Sequence, residues 1–226
     1  KPFISARLNP DGENQTHKSK HQRYRAGCSI GKQWVAYYNH IAYPVDYFSS
    51  FYSGWSTFST FRKEAITYTT PSISGFTLVA SAVDMDDSSD SDYLDTMQYV
   101  ASYSSDGFTV SASIDDRGEN AGDTEIMGLS ASYTTGPWRF ATKYENDDSA
   151  DRSIYNLYGS YNMGKYTFKA HFADGDDGEY AAGKAYHLGV DYQYTKNLKV
   201  FAEYYAEEEG IAILRDQDID QGYETL

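Results

Sequence analysis

Five strand-like runs begin at Phe76, Phe108, Trp138, Tyr166 and Leu198, spaced 32, 30, 28 and 32 residues apart, and each follows a tight turn. That is the period of a pair of antiparallel strands, not of a helical solenoid. The turns are Ser74-Gly75, Asp106-Gly107, Gly136-Pro137, Gly164-Lys165 and Lys196-Asn197, residues that supply unusual φ angles or turn hydrogen bonds. The opposite connections are longer and acidic. Residues 84–95, 115–125, 145–152, 174–184 and 207–224 together hold most of the chain's 33 Asp and Glu. A chain built this way is all-β, with short turns at one end of the strands and long loops at the other.

The strands alternate with period two. Phe108, Val110, Ala112 and Ile114 oppose Thr109, Ser111 and Ser113; Trp138, Phe140, Thr142 and Tyr144 oppose Arg139, Ala141, Lys143 and Glu145. The same division recurs in the runs from Tyr166 and Leu198. One face is apolar, and the other is too polar for a dry core. A soluble sandwich would turn its apolar face inward and mix its turn lengths at both ends. A transmembrane barrel turns that face to lipid, lines a wet lumen with the polar one, and separates short turns from long loops. The regular order of connections selects the barrel. Aromatic placement agrees: Tyr103, Phe108, Tyr133, Trp138, Tyr161, Tyr166 and Tyr194 flank the short turns as an interfacial girdle does. This accounts for 23 Tyr in a chain whose mean hydropathy is only −0.64.

The formal charge of −14 excludes nucleic acid as a partner, since a phosphate backbone demands the opposite sign. Concentrated at one rim, the acids would attract cations and invite Ca²⁺ or Mg²⁺ bridging to lipid phosphates. The single cysteine, Cys28, forms no intramolecular disulfide and no Cys-rich zinc site. No apolar run is long enough for a membrane helix, and residues 1–15 do not read as a signal peptide. We expect one domain over residues 1–226.

Residues 38–61 break the pattern. They carry Tyr43, Tyr47, Phe48, Phe51, Tyr52, Trp55, Phe58 and Phe61 among small polar residues, with neither clean alternation nor a charged-loop composition. Long structured loops in compact domains are usually functional. Inside a wide barrel such a segment can fold inward and narrow the channel; the competing readings are two further strands or a cap packed on the surface.

The run IGKQWVAYYN at 30–39, PVDYF at 44–48 and STFRKEAITYTTPSISGFTL at 59–78 resembles the general diffusion porins of Gram-negative outer membranes. Gly31-Lys32-Gln33-Trp34 matches their strand-end motif, Asp46 the acid of their constricting third loop, and Tyr68, Pro71, Gly75 and Phe76 their hairpin signature. The resemblance implies a 16-stranded barrel in the bacterial outer membrane, a homotrimer among outer-membrane lipid and lipopolysaccharide, passing small hydrophilic solutes by passive diffusion. Such relatives carry several strands before the Gly-Lys-Gln-Trp segment and end on an aromatic residue. About twelve strands can be placed from residue 22 onward, so a partial chain is expected, with a small 10- or 12-stranded barrel as the alternative.

Selectivity in such a channel comes from acids on the inward loop facing bases on the wall. The candidates for the constriction are Asp46 with Lys32, Arg23, Arg25, Arg62 and Lys63; those lining the lumen are Arg139, Lys143, Lys169, His171, His187, Lys199 and Glu203. The acidic total suggests mild cation preference. A hairpin centred near Gly178-Glu179 would set His171 opposite His187, and a paired imidazole could hold a transition metal, but no third ligand is evident; no metal and no cofactor are expected. His-Glu-x-x-His and phosphate-cradling glycine loops are lacking, so an enzyme is not expected. The alternatives are a soluble β-rich module stacking its aromatics on carbohydrate and an outer-membrane barrel hydrolase.

Overall fold

The computed structural model describes residues 2–8, 26–50, 57–84, 96–118, 124–176 and 183–208, with side chains from residue 26 onward. Twelve strands form it: β1 (Pro2–Leu8), β2 (Gly27–Trp34), β3 (Arg62–Thr69), β4 (Phe76–Val83), β5 (Thr96–Ser105), β6 (Phe108–Asp116), β7 (Glu125–Thr135), β8 (Trp138–Asp147), β9 (Arg152–Met163), β10 (Tyr166–Asp176), β11 (Gly183–Gln193) and β12 (Leu198–Glu207). All belong to one sheet in which β2 to β12 pair in chain order and β12 pairs with β1, every described ladder being antiparallel. Among the described residues β1 and β2 are its two edges.

The five run starts expected from the turns are the first residues of β4, β6, β8, β10 and β12. Asp106 and Gly107 both take positive φ, 46° and 82°, which twists the β5–β6 connection in the sense the flanking strands require. Strands separated by two-residue turns then fall into a register that keeps each face uniform. The outward face leaves large apolar side chains uncovered: Leu78 is 58% exposed, Leu129 55% and Leu188 54%. A surface of that kind is stable in lipid, not in water. Toward the short turns, cross-strand partners on this face form aromatic pairs, Phe76 with Tyr103, Trp138 with Tyr161 and Tyr166 with Tyr192, their ring centres 4.4–4.7 Å apart. They build the girdle.

The inward face is covered by the chain itself. After β2, residues Tyr38–Ala42 form a π-helical turn and Tyr43–Val45 a 3-10 turn with Pro44 near its start; no strand forms among the described residues of 38–61. Tyr38 and Ala42 pack with Ala65 of β3 and Val83 of β4, Ala36 with Val79 and Val100, and Tyr37 and Ile41 with Ile126 of β7. Val45, Tyr47 and Phe48 pack with Ala141 and Tyr158, and Phe58 with Ile154, Ala173 and Ala185. A single segment can touch the same face of β3, β4, β5, β7, β8, β9, β10 and β11 only if the sheet curls around it.

Two expectations change. The acidic connections are shorter than their composition suggests, because β6 continues to Asp116, β8 to Asp147 and β10 to Asp176. Asp115, Glu145 and Asp147 therefore continue the inward parity of their strands and are buried, not rim charges. Residues 85–95, 119–123, 177–182 and 209–226 lie outside the described residues, and with them the proposed Ca²⁺ or Mg²⁺ bridging, as do Phe51, Tyr52 and Trp55. From residue 22 onward eleven strands are described, one fewer than the sequence count.

Candidate functional site

The inward segment has two flanks, each fastened to the wall. Its base closes where the Val35 N–H donates to the Phe61 carbonyl at 3.1 Å. Near it, Gln98 of β5 accepts from the Tyr37 N–H at 2.9 Å, and the Ser130 hydroxyl of β7 donates to the His40 carbonyl at 2.6 Å. These wall side chains satisfy backbone groups that irregular structure leaves unpaired away from water.

Farther along, carboxylates take over. Glu145 accepts from the Phe58 N–H at 2.6 Å and the Thr57 hydroxyl at 3.2 Å, while Asp115 accepts from the Ser59 hydroxyl. Four strands farther along the sheet from Glu145, on β12, Glu203 accepts from the N–H groups of Ser49 and Ser50, both at 2.9 Å, and from the Ser50 hydroxyl at 2.5 Å. An ionised carboxylate only accepts, so it suits a segment whose backbone donors have no ladder. Glu145 and Glu203 each have a cation beside them. Lys143 lies 2.7 Å from Glu145, and Lys169 lies 2.9 Å from Glu203 and 2.8 Å from Asp191. Cations also cap the segment's rings: Arg139 over Tyr47 at 4.8 Å, Lys169 over Phe48 at 4.8 Å and Arg152 over Phe58 at 4.4 Å. Arg117 donates to the Phe58 carbonyl at 2.6 Å.

The expected constriction residues do not converge. Asp46 lies in the segment and accepts from the Tyr38 hydroxyl at 2.7 Å. Burial pushes its carboxyl up to about 7, against the opposing pull of the Tyr38 hydrogen bond and the charge of Lys143. His40, in the preceding π-helical turn, is lowered to about 4 by burial and stands neutral. Lys32 and Arg62 are corrected: they stand on the outward face. Gly31 and Gln33 pair with Ala65 and Lys63 on the inside, so parity sends Lys32 outward opposite Glu64, and Arg62 outward opposite Trp34. Lys63 points inward and is half-buried. Arg23 and Arg25 lie outside the described residues.

The seven wall candidates, Arg139, Lys143, Lys169, His171, His187, Lys199 and Glu203, share the inward face. Lys143, Lys169, His171, His187 and Glu203 are buried, covered by the segment and not by an open lumen; Arg139 and Lys199 are half-buried. His171 and His187 are directly paired across β10 and β11. Phe48 stacks on His187 with ring centres 3.6 Å apart, and Asn156 bonds the His171 Nε2 at 3.1 Å. Among the described residues no group of three or more His, Cys, Asp or Glu is arranged to hold a metal.

The sequence alone does not single out Gln98, Asp115, Arg117 or Arg152, and it marks Glu145 only as one more polar-face charge. The signal for the acids is parity carried past the expected strand ends; for Gln98, the one long amide on the inward face of β5, no sequence signal marks the partner.

Comparison with curated proteins finds no match. Solved structures with a similar fold include a loop-deletion mutant of OmpT, an outer membrane protein of Vibrio cholerae (16% identity, 80% of this chain and 76% of that one, TM-score 0.55). A mutant of Rh. blastica porin (21% identity, 81% and 74%, TM-score 0.51) and a porin refined at 1.8 Å (16% identity, 66% and 64%, TM-score 0.51) are similar too. At these identities the likeness is one of fold. The family comparison reaches further, because a match to the Gram-negative porin family runs over residues 27–210 and so takes in the inward segment, its anchors and all strands from β2 to β12. The chain belongs to that family, a β-barrel of the bacterial outer membrane.

Proposed function

We propose that this porin passes small hydrophilic solutes and ions by passive diffusion through a lumen that residues 38–61 narrow, with a mild preference for cations, as a homotrimer and without a catalytic step. One observation carries the reading: the segment is bonded to Asp115 of β6, Glu145 of β8 and Glu203 of β12, so it is fastened to the inner face at points spread from β6 to β12 of the curled sheet. Its helical turn packs dry, with Val35, Tyr37, Ile41 and Ala42 all fully buried. Water and solute therefore run along the other side, past the half-buried Gln33, Lys63, Tyr43, Arg139, Asp191 and Lys199.

Fixed charges of both signs border that path, so the wall itself is balanced, and the net −14 supports the cation preference. The inner-wall charges bind the segment's backbone and rings, which favours a transport role for them over a catalytic one. The exposed apolar belt and its aromatic girdle suit outer-membrane lipid and the lipid portion of lipopolysaccharide. Planar bilayers test the proposal: discrete conductance steps and a reversal potential of cationic sign in a KCl gradient are expected, while absence of steps, or an anionic sign, counts against channel or preference respectively.

A further inference from the structure

Two wall glycines stand where the segment comes closest. Gly128 of β7 lies opposite Ser113 and Glu145, and Gly189 of β11 lies opposite Lys169 and Glu203, all on the inward face. Neither takes a positive φ, so the backbone does not call for glycine at either position. Space does. A Cβ at Gly128 would run into the Tyr37 hydroxyl and lie 2.7 Å from Ile41 Cγ2 and 2.8 Å from Tyr37 Cζ. Tyr37 and Ile41 are both fully buried, so neither can swing into water. A Cβ at Gly189 would lie 3.0 Å from Phe48 Cε1, 3.1 Å from Glu203 Cγ and 3.1 Å from Lys169 Cε. That contact is softer, because the neighbours need yield by only a few tenths of an ångström. Gly159, by contrast, faces outward, and its nearest atom would be Phe140 Cδ1 at 3.7 Å, ordinary contact.

We propose that Gly128 and Gly189 are the positioning residues of the channel: sockets that seat the helical turn and Phe48, and so set how far residues 38–61 withdraw from the solute path. Gly128 is the rigid socket and Gly189 the yielding one. The assignment deepens the reading that this segment narrows the lumen and rests on it. Pore width then depends on what the wall omits as well as on what the loop carries.

The test is single-channel recording on the full chain in planar bilayers, with Gly128→Ala, Gly189→Ala and Gly159→Ala, each checked for folding by heat-dependent gel mobility. One added methyl in packed surroundings shifts the ratio of unseated to seated segment by roughly tenfold, so Gly128→Ala should raise by about that factor the recording time spent at altered conductance levels. Gly189→Ala should do so less, and Gly159→Ala not at all. Adding Tyr37→Leu to Gly128→Ala, which removes the hydroxyl and ring carbon that the methyl meets, should move the levels back toward wild type. Folded Gly128→Ala and Gly189→Ala channels with wild-type levels would overturn the assignment; should Gly128→Ala not fold, Gly189→Ala and its outward control decide it. Replacing residues 47–60 by a short Gly-Ser linker separates the two claims. Unchanged conductance there refutes the narrowing itself, whereas a larger conductance beside silent glycine variants refutes only the sockets.

Discussion

The inward faces of β4–β7 and β8–β12 belong to one sheet and share one alternation, yet they are chemically different. The first presents Thr77, Ser81, Gln98, Ser102, Ser111, Ser113 and Ser130, with Asp115 as its one charge. The second presents Arg139, Lys143, Glu145, Asp147, Arg152, Lys169, Asp191, Lys199 and Glu203. The hydroxyl half bonds largely within itself, Ser111 to Ser102 at 3.0 Å and Ser113 to the Tyr99 carbonyl at 2.9 Å, and so offers a smooth seat for an apolar helical turn. The ionic half meets the segment's irregular part, where backbone donors need acceptors and rings accept cations. Each half has the chemistry that its portion of the segment lacks.

Breaking an ionic contact should therefore cost far more than breaking a hydroxyl one. Lys143→Ala strands Glu145 without its cation in a buried site and should lower barrel stability by about 3–5 kcal/mol, read from urea unfolding in lipid vesicles by tryptophan fluorescence. Ser111→Ala, at a similar depth on the other half, should cost only about 1 kcal/mol. A larger loss for Ser111→Ala than for Lys143→Ala would reverse the comparison.

Asp46 sharpens it by pH. Its folded value near 7 lies above the ordinary 3.8, so the folded state holds this proton more tightly than the unfolded chain does. The stability it contributes is complete below about pH 4 and is lost as pH rises toward 7. Channels should be quieter at pH 5 than at pH 8, and Asp46→Asn should remove that difference; an undiminished difference would mean that another group is responsible. Smaller still, Arg139→Ala gives up the contact over Tyr47, about 0.5–2 kcal/mol, and a half-buried positive charge, so the reversal potential should move in the cationic direction. Lys32→Ala and Arg62→Ala, on the outward face, should leave conductance unchanged; a change in either would place them back in the path.

Much of this fold is legible in the sequence because two-residue turns leave strands no freedom of register: once Asp106-Gly107 and Gly164-Lys165 are turns, Phe108 and Tyr166 start strands and every later side chain has its face. The site is harder to read for the opposite reason. Lys32 belongs to a motif that marks a region, and only pairing with β3 reveals its parity. Glu145 and Asp115 sit in acidic stretches that look like solvated loops, and only parity carried past the expected strand ends distinguishes them. Gly128 and Gly189 carry no side chain to signal a role, since what matters is the room they leave for Tyr37 and Phe48. Contacts between a loop and a wall more than a hundred residues away, such as Ser50 with Glu203, leave no local pattern.

The central claim is that a segment latched to the wall through Glu145 and Glu203 sets the passage. Single-channel conductance of the combined Glu145→Gln and Glu203→Gln variant, compared with wild type in the same bilayer, tests it most directly. The account predicts larger and noisier steps once both latches lose their charge, and steps of wild-type size and stability would contradict it.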